Sequence, residues 1–206
     1  MPRKTAAPLT WELENQYFAE GYSVICGTDE AGRGPLCGPV AAAAVILPEG
    51  LVIDGLNDSK KISEKKREEL YGIITECALS YAIELVDNTV IDEINILNAA
   101  QLAMRRAIEG LDPKPDLALV DGNVAREFPC KAVTVIKGDA KSPSIAAASI
   151  LAKVTRDRLC LEHDALYPEY GIAKHKGYPT AEHMEAVRKY GPSPIHRLSF
   201  LKFLDK

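Results

Sequence analysis

Paired cysteines, tryptophan and long apolar runs are what this 206-residue chain lacks or has little of. Its five cysteines (Cys26, Cys37, Cys77, Cys130 and Cys160) are odd in number and form no CxxC pair. That excludes a disulfide scaffold and a zinc ribbon, and leaves reduced, buried thiols in a cytoplasmic protein. None sits in a recognisable nucleophile motif. No run approaches the ~18 apolar residues that span a bilayer. Met1-Pro2-Arg3-Lys4-Thr5 lacks the apolar stretch of a signal peptide. Repeats, low-complexity segments and long linkers are absent too. The four histidines show no HExxH spacing, and surface or capping roles are expected of them, with His175 a possible phosphate contact. There is no GxxxxGK[ST] loop. Gly32-Arg33-Gly34 fails as a dinucleotide fingerprint, because Cys37 stands where the third glycine belongs.

What is present is ordinary for a soluble globular chain: 47% hydrophobic and 26% charged residues. The length suits one domain over residues 1–206, with a helical extension from about residue 180. The net charge of −4 argues against nucleic acid, but its distribution does not. Residues 1–120 carry 11 basic and 19 acidic side chains, and residues 121–206 carry 14 and 10. Local charge governs phosphate affinity, so the C-terminal part is the one suited to it.

Hydrophobic patterning predicts strands at Tyr22–Asp29, Pro39–Leu47, Leu79–Val86, Asp116–Asp121 and Lys131–Lys137. Val40–Leu47 is continuously apolar, as a strand covered on both faces would be. Helices are predicted from Ser63 to Cys77, Val90 to Glu109, Ser142-Pro143 towards His163, and Thr180 to Tyr190. Leu56–Lys61 and Tyr167–Tyr178 read as loops, and His196–Lys206 as helical. The order implies an α/β domain with a mixed sheet rather than strict βαβ alternation.

Four acids stand at predicted strand ends or just beyond one: Asp29 and Glu30, then Asp121, then Asp139. Adjacent carboxylates after a buried strand are costly unless a cation compensates them. Gathered together they make an all-oxygen site suited to Mg²⁺ or Mn²⁺. Taken singly, each could equally be a cap or turn former. Two such ions ~4 Å apart can support phosphodiester hydrolysis. Gly32-Arg33-Gly34 offers a guanidinium fork and close backbone approach for a phosphate. Basic residues and hydroxyls recur at Asp58–Lys61, Lys137–Ser142, Lys153–Arg156 and Lys174–Tyr178. They read either as solvated faces or as a phosphate track including Lys60, Lys153 and the helix N-terminus at Ser142. Tyr178 could stack on a sugar or base, or belong to the core.

Asp29–Pro35 (DEAGRGP), Asn57–Lys61 (NDSKK), Val120–Gly122 (VDG), Lys137–Leu151 (KGDAKSPSIAAASIL), Lys153–Asp157 (KVTRD) and His175–Pro179 (HKGYP) together resemble ribonuclease HII. The resemblance implies a ribonuclease H-like fold, with a central mixed five-stranded sheet, flanking helices and a C-terminal helical region. It implies endonucleolytic cleavage of RNA in RNA–DNA hybrids, and 5′ to ribonucleotides embedded in duplex DNA, leaving 3′-OH and 5′-phosphate ends. By the same resemblance Asp29, Glu30, Asp121 and Asp139 are metal-binding catalytic acids. Gly32, Arg33 and Gly34 sense the ribose 2′-OH, and Tyr178 packs on the sugar at the junction. Arg33 separates the chain from type HIII relatives, and about 21 residues before the first strand leave no room for their extra N-terminal domain. A monomer is expected. The tail Leu198–Leu204 shows no clear sliding-clamp peptide, though its apolar residues could dock a partner. The competing classes are a non-catalytic nucleic-acid-binding module, a junction-resolving nuclease and, last, a Rossmann oxidoreductase.

Overall fold

The computed structural model describes residues 9–205, so the Met1–Thr5 segment lies outside the described residues. Helix α1 (Glu12–Ala19) precedes strands β1 (Ile25–Ala31) and β2 (Val40–Ile46). Helix α2 (Glu64–Cys77) leads to β3 (Ser80–Val86), then α3 (Asn88–Ile94) and α4 (Ile96–Glu109). Strands β4 (Leu117–Asp121) and β5 (Lys131–Val135) follow, then the long helix α5 (Pro143–Leu166). The short α6 (Ile172–His175), α7 (Ala181–Tyr190) and two 3₁₀ turns complete the chain.

The sheet order is β3-β2-β1-β4-β5. β1 pairs antiparallel with β2 and parallel with β4, and β4 pairs parallel with β5. The expected mixed five-stranded α/β sheet is therefore what the chain forms. Side chains alternate along each strand, so the two sheet faces receive different helices. Val40, Ala42, Ala44 and Val120 pack with Ala103, Met104 and Ala107 of α4. Ala43 and Val45 pack with Ala146, Ala147 and Ile150 of α5. β2 is buried at every position because both its faces are covered. Leu117 and Leu119 are fully buried as well, each worth about 2 kcal/mol of transfer free energy.

Two expectations need correction, and one helix was not anticipated. The helix read over Val90–Glu109 is two helices, because Asn95 adopts φ 67° and its Oδ1 accepts from the amides of Leu97 and Asn98 at 3.1 Å each. An asparagine tolerates that left-handed turn and caps the next helix at once. The tail is not an α-helix but 3₁₀ turns at Leu198–Phe200 and Lys202–Asp205. Helix α1 has no counterpart in the sequence reading. Trp11 at its N-cap and Phe18 within it are nonetheless drawn into the core, and Trp11 Nε1 donates to the Leu51 carbonyl at 2.8 Å.

Among the described residues no helix is long and apolar enough to cross a membrane. All five cysteines are free. The segment from Ile172 to Phe203 shares a cluster with Leu36, Cys37 and Cys160, so it packs directly on the loop after β1.

Candidate active site

Register decides where the acids stand. Asp29 pairs with Ala43 and Glu30 with Ala42. Asp29 therefore faces α5, and Glu30 faces the α4 side. On β4, Leu117 and Leu119 pack with Ile145 of α5, which puts Asp121 on the Asp29 face. The two neighbours in sequence thus enter one cleft from opposite faces of the sheet, at the end where β1 stops. A cleft of about 660 Å³ there is lined by Asp29, Glu30, Asp121, Arg33, Lys153 and Tyr178, among others.

Asp139 sits in the 3₁₀ turn Gly138–Ala140 just before α5, and is buried. It is not in the cleft wall itself, but its charge couples to Asp58, Asp121 and Lys60. Asp121 Oδ1 accepts from the Gly138 amide at 2.6 Å, which ties β4 to that turn.

The electrostatics are those of crowded carboxylates. Burial raises the pKa of Asp29 well above the carboxylate range, and the charges of Glu30 and Asp121 add to it. A bond from Ser149 opposes that rise. Glu30 is raised by burial, against the pull of Arg33, whose Nη1 lies 3.3 Å from Glu30 Oε1. Asp139 is raised by burial and by Asp58 and Asp121. Lys60 loses hydration by burial, yet its pKa rises because Asp29, Asp139, Asp58 and Asp121 surround it. This donor set, all oxygen and over-negative, fits a hard divalent cation. Asp29, Glu30 and Asp121 in the cleft, with Asp139 beside them, are the oxygen donors that could hold one.

Gly32, Arg33 and Gly34 line the same cleft. Gly32 has φ +96°, and a Cβ there would overlap the Arg156 side chain. A Cβ at Gly34 would stand 3.2 Å from the Tyr178 ring, so the half-exposed ring lies against that glycine. Lys60 and Lys153 are also cleft residues, and Lys153 Nζ is held by Asp157 Oδ1 at 2.5 Å.

Ser142 is different. It is fully buried, and its hydroxyl donates to Glu14 Oε1 at 2.6 Å while accepting from the Ile145 amide at 3.1 Å. The N-terminus of α5 is thus occupied by an internal carboxylate, which excludes the expected phosphate contact through Ser142.

Several residues of the site escaped the sequence reading. Arg197 is fully buried and donates to four carbonyls of the glycine loop: Gly32 at 2.8 Å, Arg33 at 3.1 Å, Pro35 at 2.9 Å and Gly38 at 2.9 Å. Arg156, read as half of an exposed basic pair with Lys153, is buried beneath the loop, donating to Cys37, Pro39 and Lys176 carbonyls. Ser59 and Ser149 share a 2.9 Å hydroxyl contact that fixes the Lys60 turn against α5. No local pattern marks such residues, since their partners lie far away in sequence: backbone carbonyls for the two arginines, and each other's hydroxyl for the two serines.

The histidines also differ from expectation. His175, His183 and His196 are buried, and His175 stacks on His183. The Ser193 amide donates to His196 Nδ1 at 3.0 Å, which leaves the His196 proton on Nε2. That nitrogen donates to His183 Nε2 at 3.2 Å, and His183 Nδ1 donates to the Tyr178 carbonyl at 3.0 Å. Cys37 Sγ lies with these imidazoles, all ligand atoms being within 4.8 Å of one another. In this chain of bonds His196 donates through Nε2 and His183 both accepts and donates, so the two imidazoles satisfy one another within the fold.

Solved structures set the class. The ribonuclease H2 from Pyrococcus horikoshii OT3 matches with TM-score 0.72 and 28% identity, over 89% of this chain and 97% of that one. An RNase HII in a PCNA complex from Archaeoglobus fulgidus matches with TM-score 0.72 and 26% identity, over 86% and 94%. Bst-RNase HIII, in complex with Mn²⁺, shares the fold at TM-score 0.60 and 19% identity, over 88% and 64%. The fold is the ribonuclease H-like fold of these nucleases. A family model for ribonuclease HII matches residues 26–203. A ribonuclease HII from Ruminiclostridium cellulolyticum is 58% identical over 190 residues, 92% of this chain and 74% of that protein. The chain belongs to the ribonuclease HII family, whose members are endoribonucleases acting on RNA–DNA hybrids.

Proposed function

We propose that the protein cuts on the 5′ side of ribonucleotides, in hybrids and singly embedded in duplex DNA, leaving 3′-OH and 5′-phosphate ends. Its role is the removal of ribonucleotides from DNA. The observation that carries this reading is one cleft holding Asp29, Glu30 and Asp121 beside Gly32–Gly34 and the Tyr178 ring. Asp139 joins the acids through the turn bonded to Asp121.

Two Mg²⁺ or Mn²⁺ ions bound by these four acids would supply an activated water and charge stabilisation at the departing 3′ oxygen. Among the fold's relatives, Bst-RNase HIII has a structure in complex with Mn²⁺. The chain's own groups do the rest. Gly32 and Gly34 leave the loop backbone open to a ribose, and a 2′-OH is the local mark that separates RNA from DNA. Arg33 stays paired with Glu30 until a phosphate competes for its fork. The half-exposed Tyr178 ring supports the junction sugar, and Lys60 and Lys153 face the phosphates.

Residues 1–206 act as one catalytic unit, a cytoplasmic monomer, and the free thiols agree with a reducing compartment. A sliding clamp is a candidate partner, as the Archaeoglobus fulgidus RNase HII is in a PCNA complex. The exposed Leu198 and Leu204 of the tail would serve it.

The test is a labelled DNA duplex with one ribonucleotide, incubated with Mg²⁺, Mn²⁺ or a chelator. Cleavage is expected only with metal and only 5′ to the ribonucleotide. Asp121→Asn, which keeps size but removes charge, is expected to lower turnover by at least about 10³-fold with the melting temperature retained. Full activity in that variant, or equal cutting of an all-DNA duplex, overturns the reading.

A further inference from the structure

Helix α1 lies N-terminal to the segment matched by the family model, yet it reaches the catalytic end of the sheet. Its Glu14 is fully buried. Oε1 accepts from Ser142 Oγ at 2.6 Å and from the Ser144 amide at 3.3 Å. Oε2 has no hydrogen-bond partner among the described residues. A buried carboxylate held on one oxygen is costly to keep. Its compensation is the amino end of the 24-residue α5, whose first amides have no partner within the helix.

That end is three residues from Asp139. The Ser142 amide donates to the Gly138 carbonyl at 2.8 Å, closing the turn that carries Asp139. The other end of the turn is tied by the Gly138 amide to Asp121 Oδ1. Gly138 packs closely under α5, where a Cβ would meet Ile145 Cδ1 at 2.5 Å. Asp139 therefore hangs between two carboxylates, Asp121 on β4 and Glu14 on α1. α1 is itself held by Trp11 and by Leu13 and Phe18 against Ile25, Leu117 and Leu119.

We propose that Glu14 is a positioning residue: through Ser142 it sets where Asp139 stands relative to Asp29 and Asp121, and so sets the affinity of the acids for a divalent cation. This rests on the reading of Asp139 as a metal-holding acid. Groups that orient ligands from behind commonly change metal affinity by about 10-fold or more when removed.

The experiment is Mn²⁺ binding by isothermal titration calorimetry to the full chain and to Glu14→Ala, Glu14→Gln, Ser142→Ala and Asp139→Asn, with thermal melts and duplex affinity in chelator alongside. Glu14→Ala and Ser142→Ala are expected to bind Mn²⁺ about 10-fold more weakly. Their duplex affinity in chelator is expected to stay at the parent value. Glu14→Gln keeps an oxygen acceptor for Ser142, and is expected to recover most of the loss. A purely structural role would lower the melting temperature and leave the Mn²⁺ affinity of the folded fraction unchanged, and that result overturns the inference. If Glu14→Ala does not fold, parental Mn²⁺ affinity in Ser142→Ala overturns it instead. If Asp139→Asn binds Mn²⁺ like the parent, the reading of the acids falls, and this inference with it. Weakened binding in Asp139→Asn with parental binding in the other variants overturns the inference alone.

Discussion

Arg197 Nη2 donates to the carbonyl of Gly32 at 2.8 Å, joining the last part of the chain to the loop that follows β1. The same guanidinium takes the carbonyls of Arg33, Pro35 and Gly38. Burial, and the nearby Arg156, bring its pKa down to about 10, so it remains cationic at neutral pH. Arg197→Gln is expected to leave several of these buried carbonyls unpaired and to destabilise the protein by at least about 3 kcal/mol. Arg197→Lys is not expected to rescue it, because an ammonium cannot reproduce the planar fork. Urea denaturation of the two variants, with single-ribonucleotide cleavage measured on the folded protein, checks both points. Parental stability of Arg197→Lys would show that charge alone suffices.

Tyr178 gives the opposite pattern, a functional loss with little structural cost. Its ring is 45% exposed and rests against Gly34. Tyr178→Ala is expected to raise KM for a duplex with one ribonucleotide by about 10-fold, the value of one stacked contact, while the melting temperature holds. Tyr178→Phe keeps the ring and should stay near the parent. Steady-state kinetics on the two variants decide, and a parental KM in the alanine variant would remove Tyr178 from the substrate site.

Gly27 carries no chemistry, yet a methyl there would strike the backbone of Ser144 and Ile145 in α5. Backbone cannot swing aside as a side-chain tip can. Gly27→Ala is expected to cost about 2–3 kcal/mol or more and to shift α5, with Ser149, away from Asp29. Thermal melting, together with Mn²⁺ affinity, reads both effects. A variant as stable as the parent would mean that the close approach of β1 and α5 is not needed.

The buried histidines predict a pH dependence. Burial, with the proximity of His183, lowers the pKa of His196 to about 4, and burial lowers that of His183. Between about pH 6.5 and 4 the unfolded chain therefore binds protons that the folded one does not. The histidines' contribution to stability is expected to be fully present above pH 6.5 and to fall as the solution is acidified, whereas the raised carboxylates Asp29, Glu30 and Asp139 contribute with the opposite sign, so the comparison with a histidine variant isolates the former. His196→Gln is expected to be less stable at pH 7.5 and to show a shallower fall. Unfolding free energies from pH 7.5 to 4.5 for both proteins test the sign, and an equally steep fall in the variant would assign it elsewhere.

Much of this was legible in the residues. Val40–Ile46 announces a doubly covered strand because its apolar run is bounded by Pro39 and Pro48. Ser63, Ser142 and Thr180 each cap the helix expected of them, since N-capping depends on neighbours in sequence. The four acids, the glycine loop and Tyr178 were visible as motifs. What escaped depends on long-range packing. Ser142 looked like a phosphate contact, and only the arrival of Glu14, 128 residues away, shows the helix end already filled. Arg156 looked like an exposed partner of Lys153, and its burial follows from a loop folded over it.

By itself the sequence determined the residue types, the order of the strands, the longer helices in outline and the family, because these rest on local pattern and on motifs read along the chain. Tertiary structure decided which faces the acids occupy. Asp29 and Glu30 are adjacent in the chain, but the two-residue period of β1 sends them to opposite sides of the sheet, and they meet only where the strand ends. It also decided what packs around them: buried cations bonded to main-chain carbonyls, and a buried carboxylate bonded to the Ser142 hydroxyl and the Ser144 amide. Backbone carbonyls and amides are the same at every position, so no pattern of side chains reveals which of them a distant Arg197 or Glu14 will find.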